Sequence, residues 1–141
     1  LIPRANVELK PEEKVYIGSG SRDKIARVRR RLRLDELTSL ARENLERVLD
    51  KLIKQNEERI IRVINSATIV TPRLHQLELL PGIGKKLALA MIKARPFSSF
   101  ADISKRVGIS DFAKLVKKRI LQEMEGKEKY YLFTKPFLRR Y

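Results

Sequence analysis

The apolar positions of this chain change period several times, and each change marks an expected element. Residues 7–18 hold a turn at Pro11, then Val15, Tyr16 and Ile17 before Gly18, a β-branched and aromatic stretch that predicts a strand. Over residues 25–34, Ile25, Val28, Leu32 and Leu34 interleave with arginines, predicting a half-buried strand with a basic face; a short helix at its start also fits. From Asp35, a suitable N-cap, the period becomes 3.6. Leu37, Leu40, Ala41, Leu45, Val48, Leu49, Leu52 and Ile53 then form one stripe, predicting a long helix over residues 35–56. Its other face pairs Glu43 with Arg47 and Asp50 with Lys54 at i,i+4, which solvates a helix and requires no further role. The β-branched run Ile60-Ile61-Arg62-Val63-Ile64-Asn65 predicts another strand, and residues 66–72 a linker.

Beyond the linker the pattern is helical over residues 73–80, 85–94, 99–106 and 111–125, punctuated by Pro81-Gly82, Arg95-Pro96 and Gly108. Residues 129–134 predict a final strand able to pair with those of the first half. The fold class expected is α+β: a small β-rich region with one long helix (1–70), an all-α bundle (71–126), and a strand with a basic, aromatic tail (127–141).

Composition narrows the function classes. With 141 residues and 43% hydrophobic content, the chain can build one compact unit or two small ones, but not a large cleft plus a separate substrate domain. Lys and Arg number 32 against 17 acids, a net +15 with a pI near 10.4, which points to a polyanionic partner. Residues 71–141 hold 16 basic and 6 acidic groups, so the second half is the expected docking side. Without cysteine there is no disulfide framework and no thiolate metal site, and neither a metal nor a cofactor is expected. No signal peptide or membrane-spanning apolar run is apparent, so a cytoplasmic protein without a membrane partner is expected. The chain starts at Leu1 rather than Met, and Leu1-Ile2-Pro3 reads like the end of an element already under way.

The most informative string is Leu80-Pro81-Gly82-Ile83-Gly84-Lys85-Lys86. Pro81 closes the preceding helical stretch, Gly82 and Gly84 permit positive φ and keep side chains away from the backbone amides, and Ile83 anchors the turn inward. Free amides at the start of the next helix, with the positive end of its dipole and the ammonium groups of Lys85 and Lys86, make an anion site. The competing explanation is an ordinary interhelical turn packed against a neighbour.

Residues 79–92 resemble the helix-hairpin-helix motif of DNA repair, recombination and uptake proteins, whose hairpin amides contact backbone phosphates without reading sequence. The resemblance implicates Gly82, Ile83, Gly84, Lys85 and Lys86. Residues 95–103 resemble the continuation seen in tandem motifs, where a second hairpin would be Val107-Gly108-Ile109-Ser110. There Ser110 replaces the second glycine and, as an N-cap, would occupy the amides a phosphate needs. That half is therefore expected to be mainly structural, its basic helix with Lys114, Lys117, Lys118 and Arg119 a secondary contact surface.

A wider resemblance rests on Val15-Tyr16-Ile17-Gly18, the run Arg29-Arg30-Arg31, Asp35-Glu36-Leu37-Thr38 and residues 71–86. These are similar to a largely archaeal family described as RNA-binding, in which an OB-like β-barrel precedes a helix-hairpin-helix region. Its members carry more chain before the segment matching Leu1, including barrel strands, so an incomplete or differently closed barrel is expected here. The OB assignment implies a groove for single-stranded nucleic acid, with Arg29, Arg30 and Arg31 along the backbone and aromatics on bases. Tyr16 is the one obvious aromatic of the first half, while Tyr130, Tyr131, Phe133, Phe137 and Tyr141 crowd the tail, where burial of Tyr131 and Phe133 is the simpler expectation.

Enzymatic readings fare worse. Asp102 is the one candidate for a glycosylase aspartate, yet a first-turn acid on a short helix accounts for it. His75, the single histidine, has no His or Cys partner, and beside Arg73 it is expected to pack, cap or touch a phosphate. The acids form no two-metal cluster. The expectation is a non-enzymatic nucleic-acid-binding protein, RNA favoured and DNA possible. A duplex-DNA accessory factor in repair or recombination, associated with a repair complex, and a protein-docking or ribosome-associated scaffold are the rivals.

Overall fold

In the computed structural model, which describes residues 1–135, regular pairing in the first part of the chain is confined to two short strands. β1 (Ile2–Pro3) lies antiparallel to β2 (Ile25–Arg27), Ile2 opposite Arg27 and Pro3 opposite the fully buried Ile25. The strand expected over residues 7–18 does not form. Asn6 and Glu12 take left-handed backbone angles, and turns closed by Val7 N to Arg4 O and Glu13 N to Lys10 O break the extension. Nor does β2 continue: Val28 and Leu32 are exposed, because β propensity without a paired neighbour leaves ladder groups to water. Tyr16 is 53% exposed, its hydroxyl accepts the Gly20 amide at 3.2 Å, and its ring occupies the space a Cβ on Gly18 would need.

The long helix starts later than expected. Asp35 sits inside a 3-10 turn, Leu34–Glu36, and the cap is Thr38, whose Oγ1 accepts the Ala41 amide, so α1 runs Ser39–Gln55. The chain divides into two compact units, Leu1–Val48 and Leu49 onward, a boundary inside α1 and well before the one that composition suggests at residue 70.

In the second unit, residues 60–65 are not a strand but the body of α2 (Glu57–Ser66). Ile60, Ile61 and Ile64 share one buried face at helical spacing, and Glu57 and Glu58 favour the positive end of the dipole. β3 (Ile69–Thr71) and β4 (Leu74–His75) pair antiparallel where a linker and a helix are expected, and a 3-10 turn, Gln76–Leu79, follows. α3 (Lys85–Ala94), α4 (Phe100–Val107) and α5 (Phe112–Met124) match the helical pattern. They close over a core that includes Ile64, Leu77, Leu80, Met91, Ile103, Phe112 and Val116.

Residues 129–134 form no strand. They wrap the end of α5, where the Glu123 carboxylate accepts the backbone N–H groups of Leu132, Phe133 and Thr134. Tyr131, Leu132 and Phe133 are half-buried, the last two against the core. Phe137, Arg139, Arg140 and Tyr141 lie outside the described residues. Five α-helices and two small antiparallel sheets make a mixed α+β protein, with no closed barrel among the described residues. No helix among them is long and apolar enough to cross a membrane.

Candidate nucleic-acid interface

The hairpin between the 3-10 turn and α3 is built by Leu80, Gly82 and Ile83. Leu80 and Ile83 are buried in the core, so the turn is nailed down at both ends while Gly82 and Gly84 stay exposed. Gly82 has φ +83°, the left-handed region where glycine avoids a Cβ penalty. Gly84 does not: its φ of −93° is ordinary extended backbone at the N-cap of α3, which corrects the expectation of positive φ at both glycines. A Cβ added at either meets nothing within 4 Å, so both glycines face open space.

The Ile83 amide is committed internally, donating to the Leu80 carbonyl at 3.1 Å, and leaves the candidate site. Among the described residues the Gly82 and Gly84 amides have no acceptor, and no side chain caps α3. The start of α2, at Asn56, likewise lacks a side-chain cap, whereas those of α4 and α5 are closed. At α4 the Ser99 hydroxyl accepts the Asp102 amide, the Asp102 carboxylate accepts Ser98 N, and Glu57 accepts Phe100 N at 2.8 Å. At α5 the cap is Asp111, accepting Lys114 N, and not Ser110 as the sequence suggests. Both residues are compatible with the position, but the carboxylate takes it and adds a negative charge where a phosphate would sit. Gly108, with φ +84°, gives this second turn the same left-handed residue as the first.

The basic candidates divide by what already holds them. Lys86 is exposed and without a partner among the described residues, as is the Arg73 side chain. Lys85 is drawn back from the hairpin, its ammonium donating to the Arg73 carbonyl and lying 3.6 Å from Glu78. Lys117 pairs with Asp50 at 3.1 Å, while Lys114 and Lys118 are exposed. In the first unit Arg30 makes a forked contact to Glu36 at 3.0 and 3.2 Å, and Arg29 and Arg31 are exposed.

His75 caps the 3-10 turn. Its Nδ1 accepts the Leu77 amide at 3.1 Å while Glu78 accepts the His75 amide, a reciprocal box around the 3-10 turn. Burial, then repulsion from Arg95, hold the imidazole below its ordinary value, in keeping with a neutral acceptor nitrogen. Asp102 is also engaged: the Ser98 amide first, then Arg106, keep its carboxyl below the usual range.

Arg119, expected on a basic contact surface with Lys114, Lys117 and Lys118, is instead buried at 4% exposure and bonded at 2.9 Å to Glu123, 2% exposed, which sequence reasoning passed over. Their i,i+4 spacing was legible, but it is shared with many surface pairs and does not signal burial.

Residues 1–135 match a family model described as "Protein of unknown function (DUF655)". The chain is 41% identical over 140 residues to the uncharacterized protein MJ0038 of Methanocaldococcus jannaschii, covering 96% of this chain and 64% of that one. It thus spans less than two thirds of that relative's length. Its structure is similar to the crystal structure of Af1531 from Archaeoglobus fulgidus, with a TM-score of 0.82 and 43% identity across 94% of this chain and 76% of that one. With the match running through both compact units, the hairpin of the second included, the chain belongs to the DUF655 family, which has archaeal members.

Proposed function

We propose that the protein is a non-enzymatic nucleic-acid-binding module that grips backbone phosphates at the hairpin before α3, with little sequence preference. The observation that carries this reading is a helix start with exposed glycine amides, no side-chain cap, and the free Lys86 ammonium alongside, in a chain of net +15. Gly82, Gly84, Lys85 and Lys86 supply the amides, and Ile83 supplies the anchor. Lys85 would have to leave Glu78 to add its charge, an exposed pairing of small worth. Arg73, Lys114 and Lys118 extend the basic surface of the second unit.

RNA is favoured by the resemblance to the uncharacterised, largely archaeal family whose members are described as RNA-binding. The OB-like groove that this resemblance implies would use Arg29, Arg30 and Arg31. Only a two-stranded sheet lies in that unit among the described residues, so the hairpin bears the weight of the proposal.

Affinity titrations of matched RNA, single-stranded DNA and duplex DNA test the reading, comparing the unaltered protein with a Gly82→Val/Gly84→Val double variant. Several amides lose access at once in the double variant, so its loss should exceed that of Lys86→Ala. Equal affinity of all three proteins, or no affinity of the unaltered one, overturns it.

A further inference from the structure

Arg119 sits in the core of the second unit, hydrogen-bonds to three separate parts of the chain and lies 3.6 Å from the Glu128 carboxylate. Nε donates to Glu123 Oε2 at 2.9 Å, Nη2 to the Tyr130 carbonyl at 2.6 Å, and Nη1 to the Leu79 carbonyl at 3.2 Å. Leu79 is the last residue of the 3-10 turn that feeds the hairpin. On the other side, Glu123 Oε2 accepts Leu132 N, and Oε1 accepts Phe133 N, Thr134 N and the Thr134 hydroxyl, all within 2.9–3.0 Å. A chain of charge-assisted bonds therefore runs from residues 130–134 through Glu123 and Arg119 to the backbone three residues before Gly82.

A buried guanidinium is costly unless each of its donors is used, so this one tolerates few alternative positions of the carbonyls it holds. Its planar fork fixes directions as well as distances, which a lysine ammonium cannot do at three acceptors so far apart in sequence. We infer that Arg119 is the positioning residue of the hairpin, and that through Glu123 it makes residues 130–134 part of the phosphate-binding unit. Arg119 is 4% exposed, so it acts through the backbone that it holds. Its action is to set where the Leu79-Leu80-Pro81-Gly82 backbone lies. This rests on the reading that the hairpin grips phosphates, but the structural coupling can be measured without any ligand.

The test is Arg119→Lys in the full chain. The Ile83 amide, bonded to the Leu80 carbonyl, reports closure of the turn. Its hydrogen exchange should accelerate in the variant while that of Ile103, in the middle of α4, stays as it was. Affinity for a uridine homo-oligonucleotide should fall about tenfold, the equivalent of one charge-assisted bond to phosphate lost. Unchanged exchange at Ile83 in a folded variant overturns the inference. If the unaltered protein binds no nucleic acid while Ile83 still responds, the functional reading fails and the positioning role stands. Should the variant not fold, native-state exchange of the unaltered protein in rising denaturant decides. The amides of Leu132, Phe133, Thr134 and Ile83 should open in one step, and separate opening overturns the coupling.

Discussion

At the hairpin, two glycines that look alike in sequence do different work. Gly82 is at φ +83°, so Gly82→Ala should cost roughly 1 kcal/mol in urea unfolding through backbone strain alone, since no neighbour meets the new methyl. Gly84 is extended, so Gly84→Ala should cost less in stability and act instead on binding, by placing a methyl over the amides that open α3. Equal effects of the two variants on both measurements would contradict this division. His75 gives a pH signature. Because its folded value lies below the ordinary value of about 6.5, the unfolded chain takes up the proton more readily. The stability contributed by the neutral cap is therefore complete above that value and is lost as pH falls through the lower folded one. Thermal unfolding should decline from pH 7 to pH 5 in the unaltered protein, and His75→Asn, which keeps an acceptor without titrating, should flatten that decline. The cluster Gly82-Ile83-Gly84-Lys85-Lys86 was legible in the sequence because its chemistry is local. The engagement of Lys85 by Glu78 and of Lys117 by Asp50 was not, since those partners arrive only through tertiary packing.

Helices announce themselves when caps, glycines and period agree, and α3, α4 and α5 do so. α2 was opaque for a definite reason: Ile60, Ile61, Val63 and Ile64 have strong β propensity, and packing of three isoleucines on one face outweighs it. The strands expected over residues 7–18 and 28–34 fail for the reverse reason, since alternation supplies propensity but not a partner ladder. α5 carries two devices of very different weight. Its cap, removed by Asp111→Ala, should cost about 1 kcal/mol. Glu123→Leu would leave the buried Arg119 to its longer ion pair with Glu128 at 3.6 Å and the Leu132, Phe133 and Thr134 amides without their acceptor, a loss of about 3 kcal/mol. Chemical denaturation of the two variants should show this order, and near-equal midpoints would mean that residues 132–134 find other acceptors at little cost.

Charge is a property of the whole molecule, yet it is not spread evenly. From Leu49 onward the sequence holds 20 basic and 9 acidic groups, against 12 and 8 before it, so most of the net +15 belongs to the unit that carries the hairpin. If binding is mainly phosphate neutralisation, counterion release sets its salt dependence. Six phosphate contacts would give a slope of log K on log salt of about −4 for single strands and about −5 for duplex DNA. Individual lysines should contribute according to what already holds them. Lys86 has no partner among the described residues, so Lys86→Ala should flatten the slope by roughly 0.7 to 0.9, one phosphate's worth. The Lys117 ammonium already neutralises Asp50 at 3.1 Å, so Lys117→Ala should change the slope by much less. Salt titrations of the three proteins on one oligonucleotide separate the possibilities. A graded response places the charge at the phosphate site, whereas a flat slope in all three would make it incidental and favour a scaffold that docks protein.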